Sequence, residues 1–260
     1  MSYEHLTLTI EGAVATITLN RPEAANAINL QLAKDLAYAA MECDENADVR
    51  AIVITATGRF FCSGGDLASF AEAGDRVPHL IKEITTYLHA AIARLARGVA
   101  PVIVAVNGTA AGAGFSLACA GDLVLAAEAS SFTMAYTRIG LTPDGSATYY
   151  IPKLVGRQRA MELMLTNRTL TAQEALQWGL VNRVVDDADL HAESMKLATT
   201  LAAGPTLAYG RTKELVRADR DLETQMELET RAIADSARSA DGAAGIRAFL
   251  AKQKPTFTGR

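Results

Sequence analysis

Between residues 6 and 20 apolar and polar side chains alternate, LTLTIEGAVATITLN, and Glu11-Gly12 interrupts the run. A period of two on either side of a turn predicts a β-hairpin. After RPEAANA the period lengthens. Asn29 is placed to cap a helix whose Leu32, Leu36 and Ala40 share one face. AIVIT (51–55), PVIVAV (101–106) and DLVLAA (122–127) are continuous apolar runs of strand length, as expected of strands buried on both faces. Over 79–97, Leu80, Ile84, Leu88, Ile92 and Leu95 recur at helical spacing. PVIVAV ends in an Asn107-Gly108 turn, and the small-residue run TAAGAG then enters an apolar helix, FSLACA.

From about residue 147 the chain reads as mostly helical. GRQRAMELMLTNR is amphipathic, and in TAQEALQWGL Thr171 and Glu174 form a capping box, with Gly179 at the helix end. The last 55 residues, after Gly204-Pro205, are charged helical segments. There are no internal repeats. The pattern predicts an α/β fold with a β/α core over residues 1–200 and a helical region over 201–260. The apolar positions of that region must pack on the core or on another subunit.

Composition narrows the classes of function. Half of the 260 residues are hydrophobic and 21% are charged, enough for one large α/β domain with a substantial core. A net charge of −4 argues against nucleic acid or an anionic membrane as partner, since both demand a basic face. Cys43, Cys62 and Cys119 are far apart and odd in number, which gives neither a disulfide framework nor a metal cluster. The N-terminus lacks signal-peptide character, and no apolar stretch reaches membrane-spanning length, so a cytoplasmic location is expected.

Two loops share a design. FCSGGDL (61–67) and AAGAGFS (110–116) each follow a buried strand and lead toward a helix, where α/β proteins place ligands against outward-pointing N–H groups. Gly64, Gly65, Gly112 and Ala113 leave the main chain open to a ligand oxygen. Facing each other, the loops would supply two donors to one oxygen, an oxyanion hole. Taken singly, each loop reads better as a tight turn for strand–helix packing. AGAG lacks the spacing of a dinucleotide site and no P-loop lysine follows.

In order along the chain, RPEAANA, RFFCSGGDL, PVIVAVNGTAAGAGFSLACAGD, TRIGLTPDGSATYYIPKLVG, LTAQEALQWGLVNRVV and FLAKQKPTFTG resemble blocks of the enoyl-CoA hydratase/isomerase (crotonase) superfamily. The resemblance implies a spiral of ββα turns with a C-terminal helical trimerisation region, and a homotrimer or a dimer of trimers. It also implies an acyl-CoA thioester substrate whose oxygen sits between the N–H groups of Gly65 and Ala113. Coenzyme A is then part of the substrate and no further cofactor is expected. By the same resemblance Ser63, Gly64, Asp66 and Leu67 lie in the loop around the adenine end of CoA, and Gly112 and Tyr136 border the substrate. Ala25 approaches CoA by its main chain, and Phe249 and Lys252 match positions that reach a neighbouring subunit's CoA. Asp66, at a loop–helix boundary, is expected as an N-cap and carries no catalytic role.

The hydratases of the superfamily have glutamates where this chain has Ser116 and Tyr136. With both water-activating carboxylates missing, Asp144 is the remaining candidate acid. The segment around it resembles the phenylacetate-pathway isomerases that act on a ring-epoxide CoA thioester and on unsaturated acyl-CoAs, in which an aspartate here shuttles a proton. A shift from 3-enoyl to 2-enoyl needs one such base and an oxyanion hole. Phe61, Phe115, Tyr136 and Leu141 are expected to give Asp144 an apolar surround, and 68–82 to line the acyl pocket.

Three alternatives stay open. The first is a hydratase with atypical acid/base residues. The second is a dehalogenase of the 4-chlorobenzoyl-CoA type, with Asp144 as nucleophile and His89 matching its histidine. The third is a non-catalytic acyl-CoA-binding scaffold. His89 is also readable as an ordinary satisfied histidine, and Cys62 as packing. Asp144 itself, after Pro143 and before a helix, has a competing role as an N-cap, and a carboxylate tied up in that way is a poorer base.

Overall fold

The alternating N-terminal stretch closes as a hairpin. In the computed structural model, which describes residues 2–260, β1 (Leu6–Glu11) pairs antiparallel with β2 (Val14–Leu19) around Gly12, at φ 61°. Helix α1 (Leu30–Glu45) begins where Asn29 Oδ1 accepts the Leu32 N–H at 2.8 Å. The chain then repeats one unit: a long strand, a three-residue strand, and a helical stretch. The first turn is β3 (Ala51–Ala56), β4 (Phe60–Cys62), α2 (Leu67–Ala73) and α3 (Val77–Arg97). The second is β5 (Val102–Val106), β6 (Thr109–Ala111) and α4 (Ala113–Cys119). The third is β7 (Leu123–Ala127), β8 (Ser131–Thr133), α5 (Ala147–Val155) and α6 (Arg157–Thr166).

The long strands form one sheet in the order β1-β2-β3-β5-β7-β10, where β10 is Arg183–Val185, and every pair after the hairpin is parallel. The short strands form a second sheet, β4-β6-β8-β9, with β9 at Leu170–Thr171. Where the sequence reads as loop after AIVIT and PVIVAV, the structure therefore places strands β4 and β6. Three residues are too few to show a period, which is why the pattern misses them.

The apolar runs are continuous because both faces of the large sheet are covered. Ile17, Ile54 and Val104 enter the main core with Leu32, Leu36, Leu88 and Phe115. Val53, Ile103 and Leu125 face the other way, against Leu190, Ala198 and Ala202 of α8 (Leu190–Ala202). Helix α7 (Ala172–Gln177) opens on the expected capping box of Thr171 and Glu174, and Gly179 follows at φ 79°.

The C-terminal helices α9 (Thr206–Arg217), α10 (Leu222–Arg238) and α11 (Ala240–Leu250) are tied to this core by cations. Arg50 donates to Gly204 O, Thr206 Oγ1 and Phe257 O, while Lys213 donates to Leu95 O and Ala100 O and pairs with Asp122. Val216, Leu222, Ile233, Phe249 and Leu250 stay exposed on these helices. Among the described residues no helix is long and apolar enough to cross a membrane.

Candidate active site

Strands β4 and β6 are parallel neighbours, so their carboxyl ends deliver the two glycine loops to the same place. Gly64 (φ 101°) and Gly112 (φ 51°) have backbone conformations that residues with a Cβ rarely adopt. A Cβ on Gly64 would lie 3.1 Å from Ala111 O and 3.5 Å from Ala113 N, and one on Gly112 would lie 3.5 Å from Gly64 Cα. Behind them a Cβ on Gly114 would stand 2.3 Å from Cys62 O, so only glycine lets α4 start this close to β4. Ala113 is the first residue of α4, where N–H groups have no partner inside the helix. Neither its N–H nor that of Gly65 has a hydrogen-bond partner among the described residues.

The first loop is braced from the N-terminal segment. Ser63 N–H donates to Ala25 O, Ile28 N–H to Gly64 O, and Asp66 N–H to Ile28 O. Asp66 caps α2 as expected, its Oδ1 accepting from Ala68 and Ser69, while its Oδ2 pairs with Arg21 at 2.5 Å. Burial by itself would raise the Asp66 pKa. The Arg21 guanidinium and the Ser69 contacts outweigh burial and hold it below the usual carboxylate value. Both Asp66 oxygens are thus committed within the protein, and a ligand at this loop meets its main chain. Ala25 and Asn26 are held at positive φ, and the buried Asn26 side chain spans Arg21 N, Thr57 O and Phe60 O. Arg21 and Asn26 are absent from the sequence-based set of site residues. The RPEAANA block that contains them was the available signal.

The loops open into a cavity of about 370 Å³. Ser63, Gly64, Gly65, Leu67, Gly112, Ala113, Tyr136 and Asp144 all line it. Phe70 and Ile81, from the stretch 68–82, line its apolar part with Ile84 and Leu88. Among the lining residues Asp144 carries the one carboxylate. Ala25, Phe249 and Lys252 are not brought to this cavity within the chain, and Phe249 is 83% exposed. The apolar surround expected for Asp144 is only partly there. Tyr136 and Leu141 line the cavity, whereas Phe61 and Phe115 are wholly buried in the core. The Asp144 side chain is 31% exposed.

Asp144 does not cap α5. The residue before that helix is Ser146, at φ 74° and with no side-chain cap, and only the Asp144 main-chain oxygen receives an N–H, that of Ala147. The carboxylate turns to a tyrosine: Tyr136 Oη donates to Asp144 Oδ1 at 2.6 Å. Tyr136 Oη in turn lies 3.0 Å from Ser116 Oγ, which lies 3.2 Å from Gly112 O. Burial first, and the neighbouring Asp144 charge second, push the Tyr136 pKa far up, so the phenol keeps its proton. On the other side His89 Nε2 accepts the Gly145 N–H at 3.2 Å and stands 3.7 Å from Asp144 Oδ2. His89 is therefore a hydrogen-bonded histidine beside the carboxylate. Cys62 is buried, and burial raises its thiol to about 12, which fits packing better than nucleophilic chemistry.

A spiral of ββα turns that brings two free N–H groups and one carboxylate to the same cavity defines a crotonase-type fold and site. The enoyl-CoA hydratase/isomerase family model matches residues 9–260, and the chain belongs to that family. It is 38% identical over 254 residues to the 1,2-epoxyphenylacetyl-CoA isomerase of Escherichia coli K12, covering 96% of this chain and 97% of that one. It is 40% identical over 262 residues to a probable enoyl-CoA hydratase of Rhodobacter capsulatus, with both chains covered completely. The crystal structure of a putative enoyl-CoA hydratase/isomerase from Mycobacterium abscessus superposes with a TM-score of 0.93 at 36% identity, covering 98% of this chain and 100% of that one.

Proposed function

We propose that the protein is an acyl-CoA isomerase that moves a double bond from the 3,4 to the 2,3 position or rearranges a ring-epoxide acyl-CoA, with Asp144 as the proton carrier. The observation that carries this reading is the cavity itself. Asp144 is its one lining carboxylate, it shares the space with Gly65 and Ala113, and a serine and a tyrosine stand where a hydratase has its glutamates. In the double-bond shift the thioester oxygen accepts the Gly65 and Ala113 N–H groups. Asp144 removes the proton from C2, and the electron pair spreads over C2, C4 and the oxygen as a dienolate. The same proton returns at C4, so no proton is gained or lost and one group serves as base and then acid. Each donor to the developing oxyanion contributes roughly 2.7–4 kcal/mol. The exposed apolar side chains of the C-terminal helices support a trimer as the working assembly.

A second reading, a dehalogenase in which Asp144 attacks an aromatic ring, is favoured by one observation, the approach of His89 to within 3.7 Å of Asp144. A substrate panel separates the readings. Isomerisation of 3-enoyl-CoA or ring-epoxide thioesters supports the proposal, water addition to 2-enoyl-CoA replaces it with a hydratase, and chloride release from 4-chlorobenzoyl-CoA replaces it with a dehalogenase. Binding of CoA esters with no turnover would leave a scaffold.

A further inference from the structure

Two hydroxyls connect the two halves of this site. The buried Ser116 lies on α4, one turn after Gly112, and its Oγ reaches both Gly112 O (3.2 Å) and Tyr136 Oη (3.0 Å). Tyr136 Oη reaches Asp144 Oδ1 at 2.6 Å. The Gly112 carbonyl belongs to the same peptide unit as the Ala113 N–H. One continuous path therefore leads from the carboxylate to the peptide that is placed to hold the thioester oxygen.

We propose that Tyr136 and Ser116 are positioning residues forming a hydroxyl relay that couples the protonation state of Asp144 to the strength of the Ala113 N–H as an oxyanion donor. The inference rests on the isomerase reading above.

Two hydrogens are shared among Asp144 Oδ1, the two hydroxyl oxygens and Gly112 O, and the Asp144 main-chain oxygen lies farther from Tyr136 Oη, at 3.4 Å. While Asp144 is ionised, Tyr136 donates to it, because a charged acceptor at 2.6 Å outcompetes a neutral one. Ser116 then donates to Tyr136 Oη. When Asp144 Oδ2 takes the substrate proton, Oδ1 becomes a weaker acceptor. Both hydroxyls can then rotate, Tyr136 donating to Ser116 Oγ and Ser116 to Gly112 O. A second donor on Gly112 O, beside the Ser116 N–H already there, polarises the peptide and strengthens the Ala113 N–H. That strengthening comes when the enolate oxygen carries its charge. No proton leaves either hydroxyl. By holding Oδ1, Tyr136 also leaves Oδ2 as the oxygen for the substrate.

Gly145 explains the tight fit. At φ 59°, a Cβ there would stand 3.1 Å from Ser116 Cβ, so glycine lets the Asp144 segment settle onto Ser116. The other titratable and charged groups near Asp144 are His89 on α3 and Arg138, which lines the same cavity and donates to Asn167 O.

The test compares Tyr136→Phe, Ser116→Ala and the double variant in the full-length protein, with folding checked by circular dichroism. Three readouts are used: the pH profile of kcat/KM, kcat and KM on a 3-enoyl-CoA, and the absorbance of bound cinnamoyl-CoA, whose red shift reports the pull on the thioester oxygen. Tyr136→Phe should move the acid limb of the profile to higher pH by about one unit, the size expected from a lost hydrogen bond to a charge. Below the acid limb, where Asp144 is protonated, wild type should show an increased red shift that Ser116→Ala lacks, and Ser116→Ala should lower kcat about 3–10-fold with KM little changed, as for one weakened donor. The double variant should lose less than the product of the two single losses, because the hydroxyls act in series. An unmoved acid limb in Tyr136→Phe and a red shift in Ser116→Ala that rises below the acid limb as it does in wild type would overturn the relay, as would strictly multiplicative losses. Asp144→Asn keeps the two levels apart. If it remains fully active, the isomerase reading fails; if it is inert while both hydroxyl variants behave as wild type, only the relay fails.

Discussion

Gly64 and Gly112 meet across the floor of the cavity, with the position of a Gly112 Cβ only 3.5 Å from Gly64 Cα. That is ordinary van der Waals contact, and Met134 O and the Tyr136 ring, at 3.7 and 3.9 Å, leave the same room. What makes Gly112 a glycine is its backbone, φ 51° and ψ −123°, a region almost closed to other residues. Gly112→Ala should therefore cost roughly 1–3 kcal/mol as strain rather than as a clash. The strain is relieved by rotating the Gly112–Ala113 peptide, which swings the Ala113 N–H away from its target. Steady-state kinetics should show kcat/KM falling about 10–100-fold, the loss of part or all of one oxyanion donor, with Tm lowered by only a few degrees.

Ala113 offers a cleaner deletion. As the first residue of α4 its N–H is not used by the helix, and proline is accepted at that position. Gly112, at the mirror image of the extended conformation that precedes prolines, does not obstruct it. Ala113→Pro should fold with a near wild-type far-ultraviolet spectrum. It should lose a factor of about 10²–10³ in kcat, the value of one oxyanion donor, or more as the ring enters the oxygen's place. Wild-type kcat in the folded variant would remove Ala113 from the oxyanion hole.

The Arg21–Asp66 pair, with side chains 17% and 6% exposed, links the segment 21–28 to the first loop. Because the folded pKa of Asp66 is depressed, its contribution to stability is complete above the unfolded value of about 3.9. That contribution is lost as pH falls below about 4 toward the folded value. Asp66→Asn should lower stability at pH 7 by about 3 kcal/mol, since it leaves the Arg21 charge uncompensated. The wild-type advantage should shrink on acidification below pH 4. Urea melts at pH 7 and pH 3 check both signs; an equal gap at the two values would mean that the pair contributes no charge-dependent stability.

How much of this was readable beforehand depended on the range of the signal. The hairpin, α1, α3, the buried strands and the Thr171–Glu174 box are written in local periodicity and capping residues. So is the second role of Asp66 as a helix cap. The small sheet β4-β6-β8-β9 is not, since its strands run two or three residues and pair only with one another. Without that sheet the facing of the two glycine loops was a conjecture from their similarity. The Arg21–Asp66 pair spans 45 positions and the Ser116–Tyr136 contact spans 20, distances over which no pattern in a single sequence speaks. Phe61 and Phe115 depart from the sequence expectation for the opposite reason. Their nearness in sequence to the loops suggested cavity walls, yet β4 and α4 turn both rings into the core.

Asp144 stands at the centre of the proposal, and replacing it with asparagine keeps the side chain's size and its hydrogen bond to Tyr136 while removing the proposed base. The rate at which Asp144→Asn converts a 3-enoyl-CoA into the conjugated 2-enoyl-CoA, followed by ultraviolet absorbance, should fall by about 10²–10⁴-fold, the usual contribution of a positioned general base. KM should change little. A variant that isomerises the substrate at the wild-type rate would contradict the assignment of Asp144 as the proton carrier.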